Sequence, residues 1–349
     1  MLGDRSLVTA FQANATVDSS FSYRDLGGMV GYSDRTRRWQ WALAAEQTPY
    51  RSGYVQGGVG VVDGQAALVT EEVIDRLTVQ AVSGVAAYPV SESRRLEVGA
   101  GIQRYTFTEQ VRTILTVGGQ DISDDRRRIE LPGFTLSRAM AAYVFDRSSF
   151  GATSPVLGVR SRFEVAPTVG TVRYTGVLAD YRRYVMPLPF YTLAGRLLHY
   201  GRYGAGADDP RLSPLFLGYP ELVRGYDVGS FRADECTSED CPVFARLVGS
   251  RLLVANAELR FPLLRPFGVR GGMYGPVPVE LAVFGDAGVA WQRGSSPARL
   301  GGDRAWVSSA GLAARVNAFG MAVVQVSAAR PFQRPGRGWI FQVSLTPGF

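Results

Sequence analysis

The 349-residue chain contains no lysine and a single histidine, His199. All 38 of its lysine-plus-arginine positions are arginine. That bias alone reads as codon usage. The lone histidine says more. A Ser/His/Asp hydrolase needs a base beside its nucleophile, and no Gly-x-Ser-x-Gly elbow accompanies His199, so the chain reads as a non-enzyme with no catalytic residue and no cofactor. The two cysteines, Cys236 and Cys241, do not complete a zinc site, which takes four ligands, so no metal centre is expected. Their setting, Asp234-Glu235-Cys236 to Cys241-Pro242, reads instead as a small disulfide loop, which implies an oxidising compartment. Asp121, Asp124 and Asp125, beside Arg126–Arg128, read as a solvated acidic loop rather than a cation site.

Long apolar runs are also missing. No stretch reaches the eighteen or so residues that a membrane helix needs. That excludes helical spans only, because a barrel strand crosses with about ten residues, half of them polar. The chain opens Met1-Leu2-Gly3-Asp4-Arg5, with no cationic and apolar leader. Export requires a leader, so strands or domains are expected upstream of Met1. The formal net charge of +7 comes from scattered arginines at segment ends, as in Arg35-Thr36-Arg37-Arg38. No nucleic-acid-binding motif accompanies them, and nucleic acid is not an expected partner. Anionic headgroups of outer-membrane lipid and lipopolysaccharide suit the same charge.

What is abundant is glycine (41), tyrosine (16) and phenylalanine (18), together with period-two alternation. From Trp339 to Phe349 the odd positions give Trp339, Phe341, Val343, Leu345, Pro347 and Phe349, and the even ones include Gln342, Ser344 and Thr346. Val277 to Trp291 sets Val279, Leu281, Val283, Ala287, Val289 and Trp291 against Glu280, Phe284, Asp286 and Gly288. Arg251 to Phe261 sets Leu253, Ala255, Ala257, Leu259 and Phe261 against Asn256, Glu258 and Arg260. A soluble sandwich also alternates, but these apolar faces end in aromatics (Trp291, Trp306, Trp339, Phe349), and the opposite faces carry charge in mid-strand (Glu258, Asp286, Arg315). Both features point to a lipid-facing and a lumen-facing side.

Strands are predicted at 5–17, 22–33, 37–48, 71–88, 93–109, 134–147, 157–168, 173–185, 190–203, 249–263, 277–292, 303–318, 321–331 and 338–349. The fold class is thus all-β: a transmembrane antiparallel up-and-down β-barrel of about fourteen strands, filling 1–349 as one domain. Short connections fall at 34–36, 89–92, 186–189 and 319–320, and long ones at 49–70, 110–133 and 204–248. Short turns at one end and long loops at the other fit a periplasmic and an extracellular end.

Within 204–248 lies Leu217-Gly218-Tyr219-Pro220-Glu221-Leu222-Val223-Arg224-Gly225-Tyr226. It is followed by Glu258-Leu259-Arg260-Phe261-Pro262-Leu263, by Phe284-Gly285-Asp286-Ala287-Gly288-Val289-Ala290-Trp291, and by a terminal Phe349. This ordered set resembles the superfamily of the BamA, TamA and two-partner secretion barrels, often labelled bacterial surface antigen. Phe150 to Gly158 and Leu178 to Tyr184 are similar to a subgroup whose barrel follows a propeller-like domain. The resemblance implies a bacterial outer-membrane location, a lumen-folding extracellular loop at 204–248, and a loop tip formed by Val223, Arg224, Gly225 and Tyr226. It implies that Arg224 meets Glu258 and Asp286. The alternation separately puts both carboxylates on the non-lipid face. Arginine suits the role because its planar, permanently charged fork binds two carboxylates at once. Phe349 would be the signal read by the barrel-assembly machinery.

Family barrels have sixteen strands, which implies that two lie upstream of Met1. No polypeptide-transport-associated domain, the receptor for client proteins in that family, is found in the chain. Two functions therefore stand side by side. One is a non-enzymatic insertion or secretion barrel, with client outer-membrane or secreted proteins adding at a lateral seam between first and last strands. The other is a passive outer-membrane anchor or plugged pore for an upstream domain.

Overall fold

The computed structural model describes residues 4–13, 26–62, 65–236, 241–264, 278–318 and 322–347. Phe349, the expected assembly signal, lies outside them. The strands, in chain order, are β1 (Arg5–Ala13), β2 (Leu26–Asp34), β3 (Gln40–Val62), β4 (Gln65–Ser91), β5 (Arg94–Val117), β6 (Gln120–Phe150), β7 (Pro155–Gly170), β8 (Tyr174–Leu188), β9 (Tyr191–Tyr203), β10 (Leu215–Phe216), β11 (Val248–Gly249), β12 (Arg251–Pro262), β13 (Val279–Trp291), β14 (Val307–Ala318), β15 (Ala322–Pro331) and β16 (Ile340–Pro347). Fourteen of them form one antiparallel sheet in chain order, with β12 following β9, while β10 and β11 pair only with each other. The expected up-and-down arrangement and strand number are those observed.

Two of the three predicted long connections are not loops. Residues 49–62 and 65–70 continue β3 and β4, which stay paired out to Val62↔Gln65. Residues 110–133 continue β5 and β6 around Gly118 and Gly119, whose φ angles are +57° and +84°. Such left-handed pairs make the tight hairpin turn whose twist matches that of the strands. Alternation fails over the outer part of β3 and the start of β6 because both faces are exposed: every described residue from Ser52 to Val59 and from Gly118 to Arg128 is exposed. A strand without a buried side has nothing to alternate against.

By contacts, the chain divides into two compact units: Met1–Tyr88 with Glu97–Met140 and Thr168–Val172, and Pro89–Leu96 with Ala141–Pro167 and Arg173–Phe349. Every candidate site residue within the described residues belongs to the second unit. Its strands are sided in a way that inverts a soluble protein. Leu197, Leu259, Val283, Leu312, Phe341, Val343 and Leu345 are exposed, while Glu258, Glu280, Asp286, Ser309, Ser327 and Gln342 are buried. Lipid is the solvent that makes such a surface stable. Trp339 is exposed; Trp291 is half-buried and stacks on His199 at 5.8 Å between ring centres. His199 is held by the Leu252 carbonyl at 2.9 Å and by the Tyr203 hydroxyl at 2.7 Å, a structural role.

Registers fix which residues share the buried face. Asn256 pairs with Asp286 and Glu258 with Phe284 between β12 and β13. Glu280 pairs with Arg315 and Phe284 with Gly311 between β13 and β14. The buried face of β12 also changes along its length. Leu252 and Val254 are buried at its start, and Asn256, Glu258 and Arg260 follow. The apolar start is where the 204–248 connection packs.

Candidate functional site

The connection between β9 and β12 is the one long loop expected as such. Its stem is closed by the β10–β11 pair, Leu215↔Gly249 and Phe216↔Val248. Cys236 and Cys241 are joined as a disulfide, next to a single helical turn, Pro242–Ala245. From this stem Leu217, Val223, Tyr226 and Leu247, all fully buried, form one core with Leu252, Val254, Ala290 and Val307 of the strands. Each large apolar side chain buried this way contributes about 1.5–3 kcal/mol. The loop is therefore packed on the strands by ordinary hydrophobic burial before any charge is considered.

The tip adds an ionic lock. The Arg224 Nε donates to Asp286 Oδ2 at 2.7 Å and Nη2 to Oδ1 at 2.8 Å, a bidentate fork. The Arg224 backbone N–H also donates to Asp286 Oδ2, at 3.2 Å. Nη1 reaches Glu258 Oε1 at 2.8 Å. The guanidinium lies over the Phe284 ring, 3.4 Å from its centre, a cation–π contact that desolvation strengthens. The three side chains are 4%, 0% and 8% exposed. A charge this deeply buried is tolerable only when it is paired and hydrogen-bonded, and here each of the three guanidinium nitrogens has a carboxylate partner.

The rest of the tip fits the same surface. Gly225 has φ +85° and sits against Ala329 and Pro331, a conformation and a clearance that favour glycine. Its N–H donates to Gln342 Oε1 at 2.8 Å. The Tyr226 hydroxyl lies 3.0 Å from the Ser308 carbonyl and 2.9 Å from Gln333 Oε1. Val223 rests on Gly288, where an added Cβ would stand 2.8 Å from Val223 Cγ2. Asn256 Nδ2 donates to both the Leu222 carbonyl and Asp286 Oδ1, each at 2.8 Å.

The structure thus brings together Val223, Arg224, Gly225, Tyr226, Glu258 and Asp286. It adds residues that sequence reasoning did not assign to the site. Arg315 bridges Glu258 and Glu280, at 2.8 and 3.1 Å. Gln342 and Asn256 hold loop backbone. Arg334, with a side chain 0% exposed, donates to the Gly225 carbonyl, to Ser230 and to Glu235. The charge of Arg315 in mid-strand was a visible signal; Arg334, in a Pro-Gly-rich turn, gave none. Glu235 is in the loop, and its hydrogen bonds from Arg334 hold its carboxyl below the usual range. Among the described residues no group of three or more His, Cys, Asp or Glu is placed to hold a metal ion. Asp124 instead pairs with Arg112, and Asp121 accepts from Thr116.

An up-and-down antiparallel sheet, apolar on its exposed side and ionic on its buried side, defines a class, the outer-membrane β-barrels. The chain belongs to the Omp85 superfamily, whose domain model matches residues 71–346. That is the superfamily of barrels that insert or secrete other proteins, as the motif order implied. Comparison with curated proteins finds no match. Among solved structures the fold is similar to BamA from Haemophilus ducreyi lacking POTRA domains 1-3, with TM-score 0.58, 15% identity, 98% of this chain and 70% of that one. It is also similar to CdiB from Acinetobacter baumannii, with TM-score 0.50, 14% identity, 93% of this chain and 50% of that one.

Proposed function

We propose that the chain is the membrane barrel of an insertion or secretion machine in the bacterial outer membrane, acting without covalent chemistry. The observation that carries this reading is the buried Arg224 fork on Asp286 and Glu258. A fork bonded to two carboxylates this deeply buried fixes a large loop to β12 and β13. In this reading the loop keeps the lumen shut and the strands in register while the edge of β16, the last strand in the sheet order, accepts a client strand by main-chain pairing. The partners are then client outer-membrane or secreted proteins, the assembly machinery that reads Phe349, and outer-membrane lipid with lipopolysaccharide around the apolar face.

The second reading, a plugged barrel that anchors an upstream domain, is favoured by the same tight docking. Planar-bilayer conductance of the purified chain beside Arg224→Ala tests the lock, and strand addition by a client peptide in vesicles separates the two functions. A nearly closed parent, a leaky variant and client addition that the variant loses support the machine. A closed parent and a leaky variant with no client addition support the plugged anchor. Equal, large and steady conductance in both removes the lock and both readings of it.

A further inference from the structure

The residues Gly151 to Ser154, between β6 and β7, are marked in the sequence only by a weak family likeness, and the loop-tip lock makes no use of them. In the structure they reach across the second unit to strands more than a hundred positions away. The Ser154 hydroxyl donates to the Glu280 carboxylate, 2.9 Å from each oxygen. Arg260 Nη1 donates to Ser154 Oγ at 3.1 Å and to the Pro155 carbonyl at 3.2 Å. Asn317 Nδ2 donates to the Ala152 carbonyl at 2.6 Å. Thr153 and Ser154 are 3% and 6% exposed. Glu280, Arg260 and Asn317 lie at the ends of β13, β12 and β14 remote from the 204–248 loop, because β12 begins where that loop ends.

A turn at the sheet's rim satisfies its backbone with water at no cost. This one is instead drawn inward and its carbonyls are met by side chains. Between it and the loop tip lies a cavity of about 360 Å³, lined at one end by Thr153 and Ser154 and at the other by Pro220 and Arg224. One unbroken series of bonds joins the two ends: Arg224 to Glu258 at 2.8 Å, Glu258 to Arg315 at 2.8 Å, Arg315 to Glu280 at 3.1 Å, and Glu280 to Ser154 at 2.9 Å. Arg260 spans the same gap directly, from Glu258 at 2.7 Å to Ser154.

We infer that the 151–154 turn is a second plug, which closes the lumen from the end opposite the loop, and that the shared ladder couples the release of either plug to the other. Glu258 serves three cations, Arg224, Arg260 and Arg315, and Glu280 serves Arg315 and the Ser154 hydroxyl. Removing one plug leaves a buried charge short of a bond, and the other plug then holds less firmly. The inference concerns closure alone and stands or falls apart from client insertion.

The test uses thiol accessibility in the whole chain. Its own two cysteines are joined to each other, so an introduced cysteine is the one free thiol. Thr153→Cys is close to isosteric, and the hydroxyl it removes has no hydrogen-bond partner among the described residues. Val223→Cys probes the loop tip. In the folded protein both should react slowly with a membrane-impermeant maleimide. Arg224→Ala should speed labelling at Thr153→Cys, and Ser154→Ala with Asn317→Ala should speed it at Val223→Cys, by roughly tenfold, the effect of one lost hydrogen bond to a charged group. Heat-modifiable gel mobility checks that each variant is folded. Ser154→Ala alone leaves every ion pair of the strands in place, and should give a smaller rise of the same sign. Labelling of Thr153→Cys as fast as in the urea-unfolded chain removes the plug. Slow labelling that neither distant variant alters removes the coupling.

Discussion

Two Arg–Asp pairs in this protein have nearly the same bond geometry and opposite surroundings. On β5 and β6, Arg112 Nε and Nη2 each reach Asp124 at 2.9 Å. At the loop tip, Arg224 makes the same fork to Asp286 at 2.7 and 2.8 Å. The first pair is 30% and 39% exposed, in a hairpin open on both faces; the second is 4% and 0% exposed. Water screens the first, so its Coulomb energy nearly cancels against hydration and side-chain entropy. The second has given up nearly all of its hydration and must be matched by protein partners. The difference teaches that bond lengths do not rank the two pairs. Burial, and the completeness of the partner set, do.

The largest expected effect follows. Arg224→Ala strands Asp286 without its buried cation and takes from Glu258 one of three, leaving Arg260 and Arg315; it should cost the docked loop about 3–5 kcal/mol, as truncation of one partner in a buried pair does. Amide exchange over residues 217–226 should lose its protection. The double variant Arg224→Met with Asp286→Leu should recover part of that loss, because no unpaired charge remains. If Arg224→Ala costs no more than Arg112→Ala, the comparison breaks.

Packing sets the next effect. Gly288→Val puts a Cβ 2.8 Å from Val223 Cγ2 and 3.1 Å from Leu217 Cδ2, and such overpacking costs about 1–3 kcal/mol. Gly285 lies three residues earlier on the same strand, and a Cβ there meets nothing within 4 Å. Gly285→Val should therefore leave loop protection unchanged. Equal losses in both variants would show that the strand, not the docked tip, is what Gly288 protects.

These residues also mark how far the sequence could be read. Glu258 and Asp286 were legible because strand alternation assigns a face to each residue, and a charge among apolar neighbours stands out. The strand number was legible for the same reason. The outer parts of β3 and β6 were not, since two exposed faces erase the period. The Asp63-Gly64 and Gly118-Gly119 pairs, both hairpin signals, were the available clue. Arg334, Gln342 and the 151–154 turn were illegible for another reason. Each gains its meaning from a partner about a hundred or more positions away, as in Arg334 to Glu235, Gln342 to Gly225 and Ser154 to Glu280, and no local pattern encodes such a meeting.

A titration sharpens the comparison within the loop itself. Hydrogen bonds from Arg334, with the backbone N–H of Arg232, lower the Glu235 carboxyl from its ordinary value. A carboxylate held low in the folded state stabilises it fully above the unfolded value, and that contribution is lost as pH falls through the lowered one. Protection of residues 230–235, measured by amide exchange corrected for intrinsic rates, should thus begin to fall as pH drops below the ordinary carboxylate value and go on falling until the lowered one is passed. In Arg334→Met that fall should flatten, because the carboxyl then titrates more nearly alike in the docked and the released loop. An equally steep fall in parent and variant would remove the Arg334 contact as a working bond.

The smallest effect is expected at the exposed pair, and it is the one that tests the rule in the other direction. Arg112→Ala removes a bidentate fork of good geometry, yet should cost far less than Arg224→Ala, because exposed ion pairs contribute little. That cost should shrink with added salt, since the Debye length falls from about 10 Å at 0.1 M to about 3 Å at 1 M. The loop-tip pair, with no water between its charges, should show no such dependence. Unfolding of the parent and of each alanine variant at low and high salt therefore gives two slopes to compare. A salt-sensitive Arg112 and a salt-indifferent Arg224 are what burial predicts. Equal slopes would mean that water reaches Asp286, and that the loop tip rests on the strands more loosely than its bond lengths imply.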